Sequence, residues 1–229
     1  MQKREQMTLD QVMAELDRWV SQRGSGRYIP GEFVATVDAD YGLPEDFGIQ
    51  QVRAEIKDFA EVLLRQPRHG WALEIGLGYF GSTHILWRML YDRVSTIEYQ
   101  RDRVFQFREN ARSFLGKHVL DDGRSSFFFG SSHSPQVLRA VWNLAEEGVD
   151  MLFIDGDHSF EGVLEDWLLY APLVRPGGIV AFHDAVADIS QAGVPRLMEK
   201  LAQGRICGFK PELHKIVHSR NLGIAYYIK

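Results

Sequence analysis

The stretch VDMLFIDGDHSF, from Val149 to Phe160, starts as an apolar run and ends on Asp155, Asp157 and His158. Two carboxylates and an imidazole this close together can exchange protons with a ligand or hold a cation. A second polar pair, His183 and Asp184, closes the apolar run of RPGGIVAFHD. A third feature is glycine-rich: WALEIGLGYFGSTHIL carries Gly76, Gly78 and Gly81 as G-x-G-x-x-G. In such a turn the first glycine permits a tight bend and the second lets backbone approach a ligand. The helix start beyond them offers unpaired N–H groups to an anion. Glu98, about twenty residues further on, suits hydrogen bonding to a ribose diol.

The glycine loop alone admits a nicotinamide dinucleotide or an adenosyl ligand with an amino-acid tail. Glu74, two positions before the first glycine, separates them. A carboxylate there repels a dianionic pyrophosphate and attracts an ammonium group. The alternative for Glu74 is a solvated strand end.

Elements with two periodicities must carry these residues. Thr8 to Val20 has helical spacing, with Thr8 as N-cap, and a helix is expected over Ile49 to Leu64. Strands are expected at Trp71–Ile75, Val94–Glu98, Ser126–Phe129, Val149–Asp155 and Gly178–Phe182. Between and after them, helices are expected at Ser82–Leu90, Arg101–Leu115, Pro135–Ala145, Phe160–Leu169 and Val194–Leu201. This alternation predicts an α/β, doubly wound, Rossmann-like sheet, mostly parallel and covered by helices on both faces. Lys215–Ser219 and Leu222–Ile228, separated by a short turn, predict a closing antiparallel pair, which makes seven strands. Residues 1–48 read as an N-terminal helix followed by a lid-like or strap-like segment rich in Gly, Pro and aromatics. Residues 49–229 read as the ligand-binding domain. Trp87, Trp142 and Trp167 fall at core-facing helical positions.

The chain has 229 residues, a formal charge of -5 and scattered basic residues, which gives no footprint for nucleic acid or an anionic membrane. Cys207 is the single cysteine, so an intrachain disulfide and a thiolate metal cluster are excluded. The N-terminal residues lack an apolar signal core and no run reaches the roughly 18 residues of a membrane span, so a cytoplasmic location is expected. A G-x-S-x-G elbow is absent, which removes the serine-hydrolase reading.

Together, E-x-G-x-G, an acid ending the second strand, FIDGDHSFEG, RPGGIVAFHD and a terminal antiparallel pair resemble class I S-adenosylmethionine-dependent methyltransferases. The likeness is to the branch with catechol O-methyltransferase and the macrolide-sugar O-methyltransferases, and it covers Ile49 to the C-terminus. The resemblance implies that Gly76 and Gly78 line the methionine moiety, Ser82 meets its carboxylate, Glu98 holds the ribose, and Ser131 and Ser132 face adenine. It further implies a divalent cation, Mg²⁺ or Mn²⁺, on Asp155, His183 and Asp184, with His158 as general base. His183 departs from the oxygen ligand usual in that branch, and imidazole suits Mn²⁺, Fe²⁺ or Zn²⁺ better than Mg²⁺. Without a cation, His183 is a polar pocket residue. His158 has a second reading as a helix cap, and Asp157 reads as a helix-start residue.

The expected function is therefore methyl transfer to a hydroxyl of a small metabolite, a sugar for example, with transfer to an amine as the alternative on the same scaffold. A nicotinamide-dependent oxidoreductase and a non-catalytic adenosyl-binding subunit are the competing classes. The N-terminal helix can pack within the chain or form a homo-oligomer interface.

Overall fold

The computed structural model describes residues 6–23, 51–78, 81–115, 122–186, 193–218 and 222–229. The segment expected as a lid lies, from residue 24 on, outside them.

The chain order is α1 (Leu9–Arg23), α2 (Arg53–Leu64), β1 (Trp71–Ile75), α3 (Ser82–Leu90), β2 (Arg93–Glu98), α4 (Arg101–Leu115), β3 (Ser125–Phe129) and α5 (Pro135–Leu144). It continues with β4 (Val149–Ile154), α6 (Phe160–Tyr170), β5 (Val174–Phe182), α7 (Gly193–Ala202), β6 (His214–Ile216) and β7 (Ile224–Ile228). The seven strands form one sheet in the order β3-β2-β1-β4-β5-β7-β6. The first five are parallel, and β7 runs antiparallel to both β5 and β6. The strand order reverses beside β1, between β2 and β4, and that switch point is where open α/β sheets take their ligands.

Helices cover both faces, which is why β1 and β4 are buried along their whole length and read as continuous apolar runs. Alternate residues feed two cores. Ala72, Met151, Phe153 and Ala181 pack with α1 to α4, whereas Leu73, Ile75, Leu152, Ile154 and Phe182 pack with α5 to α7. Each such large apolar side chain contributes about 1.5–3 kcal/mol on burial.

Thr8 opens α1 through a reciprocal cap: Gln11 N donates to Thr8 Oγ1 at 3.3 Å, and Thr8 N donates to Gln11 Oε1 at 2.8 Å. The apolar face of α1 (Val12, Met13, Leu16, Trp19, Val20) is buried against α2, α3 and α4. That face is therefore spent inside the chain and is not left for a second subunit. Ser134 caps α5, with Pro135 in its first turn, and Ser159 caps α6 by accepting from Gly162 N at 3.0 Å.

Three expectations change. Helix α2 starts at Arg53, with Val52 in extended conformation before it, and β6 is a three-residue edge strand. Trp142 is 45% exposed. Its ring lies on the surface with Nε1 donating to Leu169 O, while Val137 and Val141 fill the core beneath α5. Among the described residues no helix is long and apolar enough to cross a membrane.

Candidate functional site

A crevice of about 560 Å³ opens at the C-terminal ends of β1, β2, β3 and β4. It is lined by Gly76, Gly78, Glu98, Ser131, Ser132 and the run Asp155 to His158, so the parallel sheet delivers most of the sequence-predicted residues to one place. The glycine loop is pressed against the end of β4. Gly76 has φ +92°, and a Cβ on it would lie 2.0 Å from the Asp155 carbonyl oxygen. No side chain fits there, which is the physical content of the first glycine.

Glu98 fastens the loop. Its Oε2 accepts from Leu77 N at 2.9 Å and its Oε1 accepts from Gln100 N at 2.7 Å. Each oxygen keeps a further lone pair for a ligand hydroxyl. Ser82 stands at the first turn of α3, after Gly81 at φ +60°. Its buried Oγ has no hydrogen-bond partner among the described residues. An orphan hydroxyl at a helix N-terminus suits an anionic group such as an amino-acid carboxylate. Ser131 Oγ accepts from His133 N, and the Ser132 carbonyl accepts from the Tyr170 hydroxyl. Both serines are thereby fixed at the crevice wall.

Glu74 lies elsewhere than expected. It is fully buried, receives hydrogen bonds from Trp87 Nε1 at 2.9 Å and Thr96 Oγ1 at 2.7 Å, and is not among the residues lining the crevice. On the pleated strand it shares a face with Ala72, toward α3. Burial pushes its carboxyl up to about 7 against the pull of its hydrogen bonds. Next in the chain of contacts, His84 bonds Thr96 Oγ1 and Ser125 Oγ, and burial lowers its imidazole to about 3, so it is neutral.

The polar end of VDMLFIDGDHSF meets the end of β5. His158 spans two acids, with Nδ1 3.0 Å from Asp184 Oδ2 and Nε2 3.4 Å from Asp155 Oδ1. Because Ser159 caps α6, His158 is free of the capping role. Asp157 Oδ1 accepts from Ser159 N, as a helix-start residue does. His183 is buried beneath the same acids, its Nδ1 3.2 Å from Asp155 Oδ1 and 3.3 Å from Asp184 Oδ1. These are ion-pair distances without aligned hydrogen bonds, and among the described residues neither His183 nitrogen has a hydrogen-bond partner. Asp184 is held at φ +57°, unusual for a residue with a side chain.

The charges reinforce one another. Burial opposes ionisation of Asp155, but the imidazoles of His183 and His158 outweigh it and hold the carboxyl well below its usual range. The hydrogen bond to Asp155 raises His158 despite partial burial. Burial works against a charge on His183, yet Asp155 and Asp184 raise it well above its ordinary value.

Asp155, His158 and Asp184 each offer a ligand atom, all within 4.8 Å of one another. The convergent set thus contains His158, whereas the resemblance implied His183, which flanks the same acids from the buried side. Two carboxylates, an accessible imidazole and orphan nitrogens on a second imidazole fit a divalent first-row ion better than Mg²⁺.

Four crevice or cluster residues went unnoticed in the sequence: Tyr99, Arg103, His133 and Gln51. Tyr99 and Arg103 carry a usable signal, since they follow the strand-ending Glu98. His133 lines the crevice and bonds Asp166 Oδ1 at 3.0 Å. Gln51 fell inside the helix expected over Ile49 to Leu64, whereas α2 starts two residues later at Arg53.

Residues 73–185, just under half of the chain, match the family described as a methyltransferase domain. That span includes the glycine loop, Glu98, the two serines and the whole acid–imidazole cluster. Among solved structures, the O-methyltransferase TomG of Streptomyces achromogenes, involved in tomaymycin synthesis and solved with SAM, is similar at TM-score 0.57 and 18% identity. The match covers 96% of this chain and 89% of that one. An O-methyltransferase from Bacillus cereus in complex with SAH is similar at TM-score 0.59 and 19% identity, over 94% and 91%. At these identities the likeness is one of fold. The protein R132 of Acanthamoeba polyphaga mimivirus, described as uncharacterized, is 49% identical over 37 residues, 16% of this chain. The chain spans 17% of that protein's length.

Proposed function

We propose, from the premise that this chain carries an S-adenosylmethionine-dependent methyltransferase domain, that it methylates a hydroxyl group of a small metabolite with a divalent cation bound beside the cofactor. The observation that carries this reading is the convergence of Asp155, His158 and Asp184, with His183 buried beneath them, beside a glycine-lined crevice whose wall includes Asp155 and His158. In this reading Gly76, Gly78 and Ser82 receive the methionine part of the cofactor, Glu98 the ribose, and Ser131 and Ser132 the adenine. The cation would be held by Asp155 and Asp184 with the His183 imidazole, which leaves His158 free, and when bound it would supply Lewis acidity that eases loss of the acceptor's proton. His158, half-buried and facing the crevice, takes that proton. Transfer would need the acceptor oxygen in line with the methyl–sulfur bond, the carbon–oxygen bond forming as that bond breaks and S-adenosylhomocysteine leaves.

A metal-free reading has one observation in its favour: two imidazoles already lie at ion-pair distance from both carboxylates. An amine acceptor, which needs no Lewis acid, fits that variant.

Calorimetry tests the proposal. S-adenosylhomocysteine is titrated with Mn²⁺ present and after EDTA, with NADH as control ligand. Binding of the adenosyl ligand, none of NADH, and a separate Mn²⁺ event support it. Binding of NADH alone overturns the cofactor assignment, and loss of the Mn²⁺ event leaves the metal-free variant.

A further inference from the structure

One side chain outside the family match reaches the acid cluster. Gln51, 8% exposed, donates from Nε2 to Asp155 Oδ2 at 3.0 Å, across 104 positions of sequence. The other oxygen of Asp155 meets both imidazoles, Oδ1 lying 3.4 Å from His158 Nε2 and 3.2 Å from His183 Nδ1. The carboxylate is thus divided, with one oxygen held by an amide and the other turned toward the cluster. The far end of the same amide is unsatisfied: Gln51 Oε1 is buried and has no donor among the described residues. An unmet buried acceptor of this kind costs about 1–3 kcal/mol, so a ligand-borne hydrogen at that point is favoured.

We propose that Gln51 is a positioning residue for the cation site, an inference that rests on the cation reading above. Its amide pins Asp155 Oδ2, so that the carboxylate offers the cation a single oxygen, Oδ1, on the side of His158 and Asp184. Its free carbonyl accepts a hydrogen from a water or hydroxyl bound in the site. The segment ahead of α2 thereby takes part in the site that the ends of β4 and β5 build. Removing the amide leaves Asp155 free to rotate, and loss of an orienting hydrogen bond on a ligand typically weakens metal binding by about 10- to 100-fold.

The test titrates the full chain with Mn²⁺ and, separately, with S-adenosylhomocysteine, for wild type and Gln51→Met, and records a thermal melt of each. Met keeps the length of the side chain and removes the amide. The expected result is a Mn²⁺ dissociation constant raised about tenfold or more, with S-adenosylhomocysteine affinity and melting temperature held. Should Gln51→Met not fold, Gln51→Asn, whose amide stops one methylene short of Asp155, reads the same quantity. Wild-type Mn²⁺ affinity in the variant overturns the role of Gln51 alone. Equal weakening of Mn²⁺ and S-adenosylhomocysteine also overturns it, because a general structural role does that. A wild-type protein that binds no Mn²⁺ overturns the cation reading, and this inference with it.

Discussion

Glu74→Gln turns the electrostatics of the sheet interior into a measurable quantity. Glu74 is 0% exposed and its carboxyl is raised from 4.5 to about 7, burial being the largest cause. In the unfolded chain the group ionises near 4.5, whereas in the folded chain it keeps its proton until about 7. Between these values the folded state binds the extra proton, so stability falls as pH rises through the window and stays lower above it. At about 1.36 kcal/mol per pH step, the rise corresponds to roughly 3 kcal/mol. Gln has no charge at any pH and, like the protonated acid present below about pH 7, offers Trp87 and Thr96 one carbonyl oxygen and one donor group. The two proteins are therefore expected to be about equally stable at pH 4.5, and the variant more stable by roughly 3 kcal/mol at pH 8. Urea denaturation of both proteins followed by circular dichroism, in half-unit pH steps, gives the difference curve, in which the other titrating groups cancel. A curve flat from pH 4.5 to 8 refutes the reasoning, since Glu74 then ionises alike in both states.

Gly76→Ala, which would set a Cβ 2.0 Å from the Asp155 carbonyl at φ +92°, is expected to weaken S-adenosylhomocysteine binding by more than tenfold in calorimetry. Unchanged affinity counts against the pressed loop. Glu55, 1% exposed, accepts from His218 N at 2.7 Å and Gly223 N at 3.0 Å, so Glu55→Ala strands two donors beside the terminal strands. A loss of about 2–4 kcal/mol is expected in urea denaturation, with Glu55→Gln recovering part of it. His158→Ala is expected to lower kcat about 10²- to 10⁴-fold while S-adenosylhomocysteine affinity stays within about twofold, and a kcat near wild type removes His158 as the base.

How far the sequence could be read depended on whether a signal was local. The βα alternation and the glycine spacing are local, and they led to the sheet, its antiparallel end and the crevice. Glu74 misled because β1 is covered on both faces: with no polar side, the strand's alternation is unreadable, and a carboxylate near a strand end looks as if it faces a ligand. Trp142 misled because its helical position is one step from the stripe of Val137 and Val141, and a ring that large can lie flat on the surface. The partition of roles between His158 and His183 depends on how two strand ends approach in space. Gln51 carried no signal of a site role, since it fell inside the helix expected over Ile49 to Leu64 and its partner is 104 positions away.

The anchoring of α7 bears on how such a site can be altered. Gly193 N donates to the His158 carbonyl at 2.8 Å, and a Cβ on Gly193 would fall 1.9 Å from Phe160 N, so the start of α7 is locked to the start of α6. On the other side, Ala185 N and Val186 N donate to the carbonyls of Gly223 and Leu222, locking the chain just past Asp184 to the entry of β7. The sequence between Val186 and Gly193 is thus bounded by two backbone anchors, neither of which uses a side chain of that segment. For an engineer, Gly193 is thus the position to leave alone: any side chain there would push the start of α7 off the start of α6 and disturb the backbone that carries His158.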